Sequence, residues 1–319
     1  MSTVGVISHL PAPTLADVRA LAEEAEAAGA DWLGLPDAFW WRDTWLLVAE
    51  AARVTDRLRV GPVVTNPYLR HPFHTVAAVA TAQDVAGDRI FVGVGAGGSE
   101  VSGSAGISRG DAPGRISELA RLIRAVAAGE ALDPASGRCL DVPLQRPTIL
   151  VAGRGNGVLG AAGRVADQAL LWAVPRSDLD RSVRVIADAA ALGREAPGAR
   201  PELVWAPLVD HGDADGAARS SLGYAALNSR PELVAAWGID QTAVADIQRR
   251  LLAGKPVGDD LLPAAAVDDL LIGDPDPEAV AEVARRIGAG SLAIPAFGVA
   301  GLGDKVRWAR AVLAASEVS

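Results

Sequence analysis

The chain has 319 residues, half of them hydrophobic, and a formal net charge of −9. That length suits one large α/β barrel or two ordinary domains, and the composition excludes a disordered chain. The acidic balance argues against a nucleic-acid partner, which needs a basic surface. A single cysteine, Cys139, excludes a disulfide framework or a cysteine-rich metal site and fits a reducing cytoplasm. No stretch reaches the roughly 18 unbroken apolar residues of a membrane span, and Met1-Ser2-Thr3 does not open a signal peptide.

Short apolar strands alternate with alanine-rich amphipathic helices. Val4–Ser8 reads as a strand, followed by a helix that Thr14 caps and Gly29 ends. Trp32–Leu35 is the second strand, with a helix over about Thr44–Val54. Leu58–Val64 is the third, with a helix from Pro72 to about Val85. Ile90–Val94 is the fourth, and after a Gly/Ser-rich loop a helix covers Pro113–Ala128. Thr148–Val151, Gln168–Leu171 and Leu203–Val209 are strands five to seven, with helices near Val158–Val165 and Ser177–Leu192. The helical stretch from about Asp213 to Leu252 is too long for one connection and reads as an insertion. Asp276–Ile287 is a helix, Ser291–Ile294 the eighth strand and Gly303–Ala315 the closing helix. Eight such units predict one (β/α)₈ barrel spanning the chain, with the helical insertion between strands seven and eight; a doubly wound open sheet is the alternative.

In a barrel of this kind chemistry sits on the loops after the strands. His9 follows strand one and reads either as an acid or hydrogen-bond donor or as a plain loop histidine. Asp37 follows strand two, ahead of Phe39, Trp40 and Trp41. It can hold a proton beside aromatic faces suited to a planar ligand, or merely cap a helix. Three prolines and a glycine in Gly61–Pro72 fix an unusual path after strand three, through Pro62, Val63, Val64, Thr65 and Asn66. After strand four, Gly93, Gly95 and Gly98 formally spell a dinucleotide fingerprint. No helix opens directly after them, so the pattern reads as a decoy, although Ala96 and Gly97 still allow close backbone approach. After strand five, Ala152-Gly153-Arg154-Gly155-Asn156-Gly157 runs straight into a helix. Its free N–H groups suit a phosphate, with Arg154 adding charge; a tight turn is the other reading. No spacing of His, Asp and Glu suggests a metal.

Taken together, Leu35-Pro36-Asp37, Val64–Pro72, Asp88–Gly97, the Ala152–Gly157 turn and Gly273–Glu278 resemble the bacterial-luciferase-like superfamily of flavin and deazaflavin barrels. The run Thr65-Asn66-Pro67-Tyr68-Leu69-Arg70-His71-Pro72 is most similar to its coenzyme F420-dependent branch, methylenetetrahydromethanopterin reductase and relatives. That resemblance implies a non-prolyl cis bond at Pro62–Val63 behind a deazaflavin ring. It also implies Ala96 and Gly97 flanking the ring, the strand-five turn on the cofactor's phosphate and Asp37 at the reacting edge. The substrate side departs from the family at Ala38, Gly98 and Ser8-His9. The expected protein is an F420-dependent oxidoreductase acting on C=N or activated C=C of a small molecule. Asp37, His9 and Glu100 are its proton-handling candidates, and Trp40 and Trp41 wall the substrate. Relatives imply a homodimer. An FMN-dependent monooxygenase and a non-catalytic flavin-binding barrel are the alternatives.

Overall fold

The computed structural model describes residues 2–98, 106–108, 110–212, 217–255, 257–258 and 260–317. Ten strands occur among them: β1 (Thr3–Ser8), β2 (Trp32–Leu35), β3 (Arg59–Pro62), β4 (Phe91–Gly95), β5 (Thr148–Ala152), β6 (Gln168–Trp172), β7 (Glu202–Ala206), β8 (Leu208–Val209), β9 (Leu271–Ile272) and β10 (Ser291–Ala296). Eight form one sheet in the order β3-β2-β1-β10-β7-β6-β5-β4, with every paired neighbour parallel. Parallel bridges at Val60–Ile90 and Thr65–Val94 join β3 to β4 and close the ring. The expected eight-stranded barrel is therefore what the chain forms.

Helices follow the strands as anticipated, and local chemistry explains their starts. Thr14 and Asp17 make a reciprocal capping box ahead of α1 (Leu15–Ala27). Asp43 accepts the Trp45 N–H at 2.9 Å to cap α2 (Thr44–Arg53). A first-turn proline opens α3 (Pro72–Ala86). The next three are α4 (Ala112–Ala127), α5 (Asn156–Val165) and α6 (Leu179–Leu192).

Burial follows the strand period of two. Trp32, Phe91, Leu150, Leu170, Val204 and Ala293 pack inside the barrel, while their neighbours Leu33, Val92, Ile149, Val151, Ala169, Leu171, Leu203, Trp205 and Leu292 pack outward in the core shared with the helices. Both parities are buried, which is why the strands read as unbroken apolar runs. The Trp32 indole fits inside only because its neighbour on β1 is glycine: a Cβ on Gly5 would stand 1.9 Å from Trp32 Cε2.

Two sequence boundaries need correction. The third strand's ladder ends at Pro62 rather than Val64. The seventh strand breaks into β7 and β8, and β8 leaves the barrel to pair with β9. The described residues between 210 and 270 form the insertion. Its helices are α7 (Ala217–Ser220), α8 (Leu222–Leu227), α9 (Pro231–Ala236), α10 (Gln241–Leu252) and α11 (Ala264–Leu270). They share a core of their own, including Leu222, Trp237, Ile247, Leu262 and Leu270. The chain then returns through α12 (Pro277–Ile287) to β10, and α13 (Leu302–Glu317) closes the fold.

Because the Gly5–Trp32 contact has no slack, Gly5→Ala is expected to destabilise the fold by about 3 kcal/mol, the upper range for overpacking a filled core. Urea unfolding reads this as a lower midpoint; an unchanged midpoint contradicts the packing described.

Candidate active site

The mouth of the barrel is organised by Thr65. Its backbone N–H donates to Gly93 O at 2.9 Å, and its carbonyl accepts from the Gly95 N–H at 2.9 Å. Its hydroxyl donates to Asp37 Oδ2 at 2.7 Å. Thr65 is fully buried, so this bond is sheltered from competing water. Just before it lies a cis peptide between Val63 and Val64. The family resemblance placed that bond at Pro62–Val63. It falls one residue later because the Val63 N–H still donates to Leu35 O of β2, at 2.7 Å, so the chain turns only after Val63. Pro62 itself stays in register opposite Leu35. Asn66 is buried, and its Oδ1 accepts from the N–H groups of Tyr68 and Leu69, each at 3.1 Å, shaping the loop from within. Gly97, at φ +71°, comes beside Asn66: a Cβ there would lie 4.0 Å from Asn66 Cβ. The strand-three and strand-four loops therefore meet, with Ala96 packed against the barrel core.

Burial pushes the Asp37 carboxyl above its ordinary pKa, and nearby Asp43 adds to the rise; the Thr65 hydrogen bond and Arg70 pull partly the other way. His9 shifts downward because burial disfavours the imidazolium. Its Nδ1 lies 3.1 Å from Ile7 O, and a carbonyl only accepts, so Nδ1 carries the hydrogen. In the neutral ring Nε2 then presents a lone pair, which suits an acceptor better than the acid suggested by sequence. His9 stacks on Trp172 with centroids 5.3 Å apart.

The aromatic residues after β2 are less enclosed. Phe39 and Trp40 are each about half exposed and meet edge to face at 4.7 Å. Trp41 is partly buried, its N–H donating to Ala38 O. Arg70 pairs with Asp43 nearby. Glu100 lies outside the described residues.

After β5, Gly155 takes the N-cap position of α5 in extended conformation, and no side chain caps that end. Gly155, Asn156 and Gly157 are exposed. The first N–H groups of α5 therefore lack a side-chain cap, an arrangement that favours an anion. Gly153 must lack a side chain, since a Cβ there would come 2.4 Å from Val158 Cγ1. Arg154 turns away from its expected role. Its Nε donates to Trp172 O at 3.2 Å and its Nη1 to Ala225 O at 2.7 Å, tying the barrel to the insertion. Arg181, which the sequence reading missed, is the guanidinium at the turn itself. It donates to Arg154 O at 3.0 Å and to Asn156 Oδ1, and is held by buried Asp178, which also pairs with Arg230 of the insertion. No local spacing announces it, because the contact spans two βα units. Among the described residues no group of His, Cys, Asp and Glu could hold a metal.

A β3 end whose pairing breaks after Pro62 and resumes at Thr65, a glycine-lined approach from β4 and an uncapped helix start beyond β5 together fit a flat group that carries a phosphate. The description luciferase-like monooxygenase matches residues 1–291, and the chain belongs to that family of barrel oxidoreductases. It is 25% identical over 262 residues to the 5,10-methylenetetrahydromethanopterin reductase of Methanolobus tindarius, covering 78% of this chain and 79% of that protein. The coenzyme F420-dependent tetrahydromethanopterin reductase of Methanopyrus kandleri superposes with a TM-score of 0.76 at 19% identity, over 99% of this chain and 98% of that one. An F420-dependent secondary alcohol dehydrogenase, solved with an F420-acetone adduct, gives 0.73 at 19% identity, over 98% and 99%. An FMN-bound type II Baeyer-Villiger monooxygenase of Pseudomonas putida also shares the fold, at 0.63 and 17% identity over 100% and 98%. At such identities structural likeness shows the fold, and FMN and F420 proteins both adopt it.

The raised pKa of Asp37 has a consequence for stability. Below its ordinary value of 3.8 the carboxyl is neutral whether folded or not; as pH rises from there through the raised folded value, folding loses stability. Asp37→Asn stays neutral and still offers Thr65 an acceptor. Its stability relative to the wild type is expected to climb as pH rises from 3.8 through the raised folded value. Urea midpoints across that range test this, and a difference that stays constant refutes it.

Proposed function

We propose that the protein is a coenzyme F420-dependent oxidoreductase that moves hydride between the deazaflavin C5 and an electrophilic C=N or activated C=C of a small organic substrate, in specialised metabolism. The observation that carries this reading is the Asp37 carboxyl, biased towards its protonated form and fixed by Thr65 just beyond the end of β3. The Thr65-Asn66-Pro67-Tyr68 loop is also where the chain most resembles F420 enzymes, and its similarity to a methanopterin reductase supports F420 over FMN.

The backbone at Val63 and Val64, with Thr65, Asn66, Ala96 and Gly97, would hold the ring, and Gly153, Gly155, Asn156 and Gly157 the phosphate. When bound, the reduced cofactor supplies hydride and leaves oxidised. Asp37 handles the accompanying proton. Thr65 occupies Oδ2, so Oδ1 is the oxygen that gives a proton to the substrate nitrogen or second carbon, or takes it back in the reverse direction. His9 Nε2 is an acceptor for a substrate N–H or O–H.

Fluorescence titration with F420 and with FMN tests the reading. Binding of F420 without retention of FMN supports it. The reverse favours a luciferase-like monooxygenase, and binding of neither favours a non-catalytic barrel. With F420 bound, Asp37→Asn is expected to lower kcat by about 100-fold, within the usual range for a general acid, while F420 affinity stays within a few-fold. Unchanged kcat removes Asp37 from proton handling.

A further inference from the structure

In the strand-five turn, Gly153, Gly155 and Gly157 alternate with Arg154 and Asn156, so only two side chains can fix it. Arg154 reaches out of the turn to Trp172 O and to Ala225 O of the insertion. Arg181 of α6 reaches into it, donating to Arg154 O at 3.0 Å and to Asn156 Oδ1. A guanidinium only donates, so the Asn156 amide must present its oxygen to Arg181. Its NH2 group is then left as a donor on the exposed first turn of α5, where no side chain caps the helix.

Arg181 is itself fixed by Asp178. Its Nε donates to Asp178 Oδ1 at 2.7 Å and its Nη2 to Oδ2 at 2.5 Å, a forked pair on a buried carboxylate. The same carboxylate takes a second guanidinium. Arg230, just ahead of α9 in the insertion, donates its Nε to Asp178 Oδ1 at 3.1 Å. The residue before Asp178 is held from the insertion as well. Ser177 donates its N–H at 2.9 Å and its hydroxyl at 2.6 Å to Asp269 of α11, and Trp237 Nε1 donates to that carboxylate at 3.1 Å. A continuous chain of hydrogen bonds thus runs from the insertion through Asp178 and Arg181 to the turn. Two guanidiniums share one buried carboxylate, so this chain keeps an excess of positive charge. Glu232, the other acid on Arg230, is exposed and 3.5 Å away, where solvent screens it.

We propose that Arg181, Asp178 and Arg230 are positioning residues for an anion at the strand-five turn, and that through Arg230 the insertion sets how tightly that anion is held. The proposal rests on the proposed function for a phosphate-bearing cofactor at this turn. Arg181 orients the donors of the turn, and Asp178 orients Arg181. Arg230, by sharing the carboxylate, keeps the Asp178–Arg181 pair from being electrically neutral towards the anion.

Fluorescence titration with two matched ligands tests this. They are F420 and the deazaflavin chromophore of F420 without its phosphate-linked tail. The chromophore reads the ring site alone, so the ratio of the two affinities isolates the turn. Arg230→Met is expected to weaken F420 about fivefold, within the usual range of coupling between sites, and to leave the chromophore unchanged. Asp178 keeps Arg181 as a partner in that variant, so no buried charge is orphaned. Arg230→Lys, which retains the charge and a donor, is expected to recover most of the loss. Asn156→Asp replaces the free NH2 with a carboxylate oxygen and is expected to weaken F420 by about tenfold or more, the effect of a like charge set against the phosphate, again sparing the chromophore. Equal losses for both ligands, unchanged F420 affinity in Arg230→Met, or no recovery in Arg230→Lys would each overturn the proposal. If the protein binds FMN in place of F420, the cofactor reading fails alone, and the same ratio is read with FMN and riboflavin. If neither cofactor binds, hydrogen exchange in the ligand-free protein decides. Arg230→Met is then expected to speed exchange at the start of α5, including the Leu159 N–H that donates to Gly155 O at 3.0 Å, with β1 and β2 unchanged. Unaltered exchange there overturns the proposal.

Discussion

The backbone ladder between Thr65 and β4 is the constraint on which the mouth of the barrel depends. Through it the two edge strands of the sheet meet and the ring closes. It demands bare backbone on both sides. A Cβ at Gly61 would lie 2.2 Å from Phe91 O, at Gly93 2.3 Å from Pro62 O, and at Gly95 2.6 Å from Val64 Cγ2. Gly93 and Gly95, two of the three glycines that formally spell a dinucleotide fingerprint, serve instead to let two strands approach. The same threonine that closes the ring with its main chain holds the Asp37 carboxyl with its hydroxyl. The seam and the Asp37 carboxyl thus share one residue, and the carboxyl cannot shift far without disturbing the seam.

The second theme is how firmly the charged side chains around the mouth are held. Arg70 is paired with Asp43, and Arg181 and Arg230 converge on Asp178. Arg154 is given over to main-chain carbonyls. Asp37 and His9, the two titratable groups best placed for chemistry, are both pushed by burial towards their neutral forms. Held in this way, the charged side chains fix the frame around Asp37 and His9 rather than moving freely within it.

Much of this was legible in the sequence where the signal is local. Trp32–Leu35 was bounded correctly because Asp31 and Pro36 bracket a four-residue apolar run, and α1 and α3 were marked by Thr14 and Pro72. The end of β3 was not, because Val63 and Val64 continue the apolar pattern past the point where pairing with β2 stops. The resemblance sets the cis link one residue early, because the Val63 N–H bond to Leu35 O is a contact between strands that no local pattern announces. Asp37 could be singled out from its place after a strand, but the hydroxyl that holds it sits 28 residues on. Arg181 and the stacking of His9 on Trp172 were missed because the partners come from different βα units, and periodicity carries no information about contacts across a barrel. Trp40 and Trp41 were conspicuous for the opposite reason: adjacent aromatics stand out in a sequence wherever the fold finally points them.

The small β8–β9 ladder has an evolutionary consequence. It sets Leu208 beside Leu271 and Val209 beside Ile272, so the segment between them leaves and re-enters the fold at one place. Its apolar residues are buried largely among themselves, and the ring of eight strands closes without it. A segment with adjoining ends and a private core can be lengthened, trimmed or exchanged wholesale while the barrel keeps its register. Since Tyr224 and the main chain at Ala225 reach the mouth from that segment, exchanging it is a route by which one barrel can acquire a new appetite without relearning how to fold.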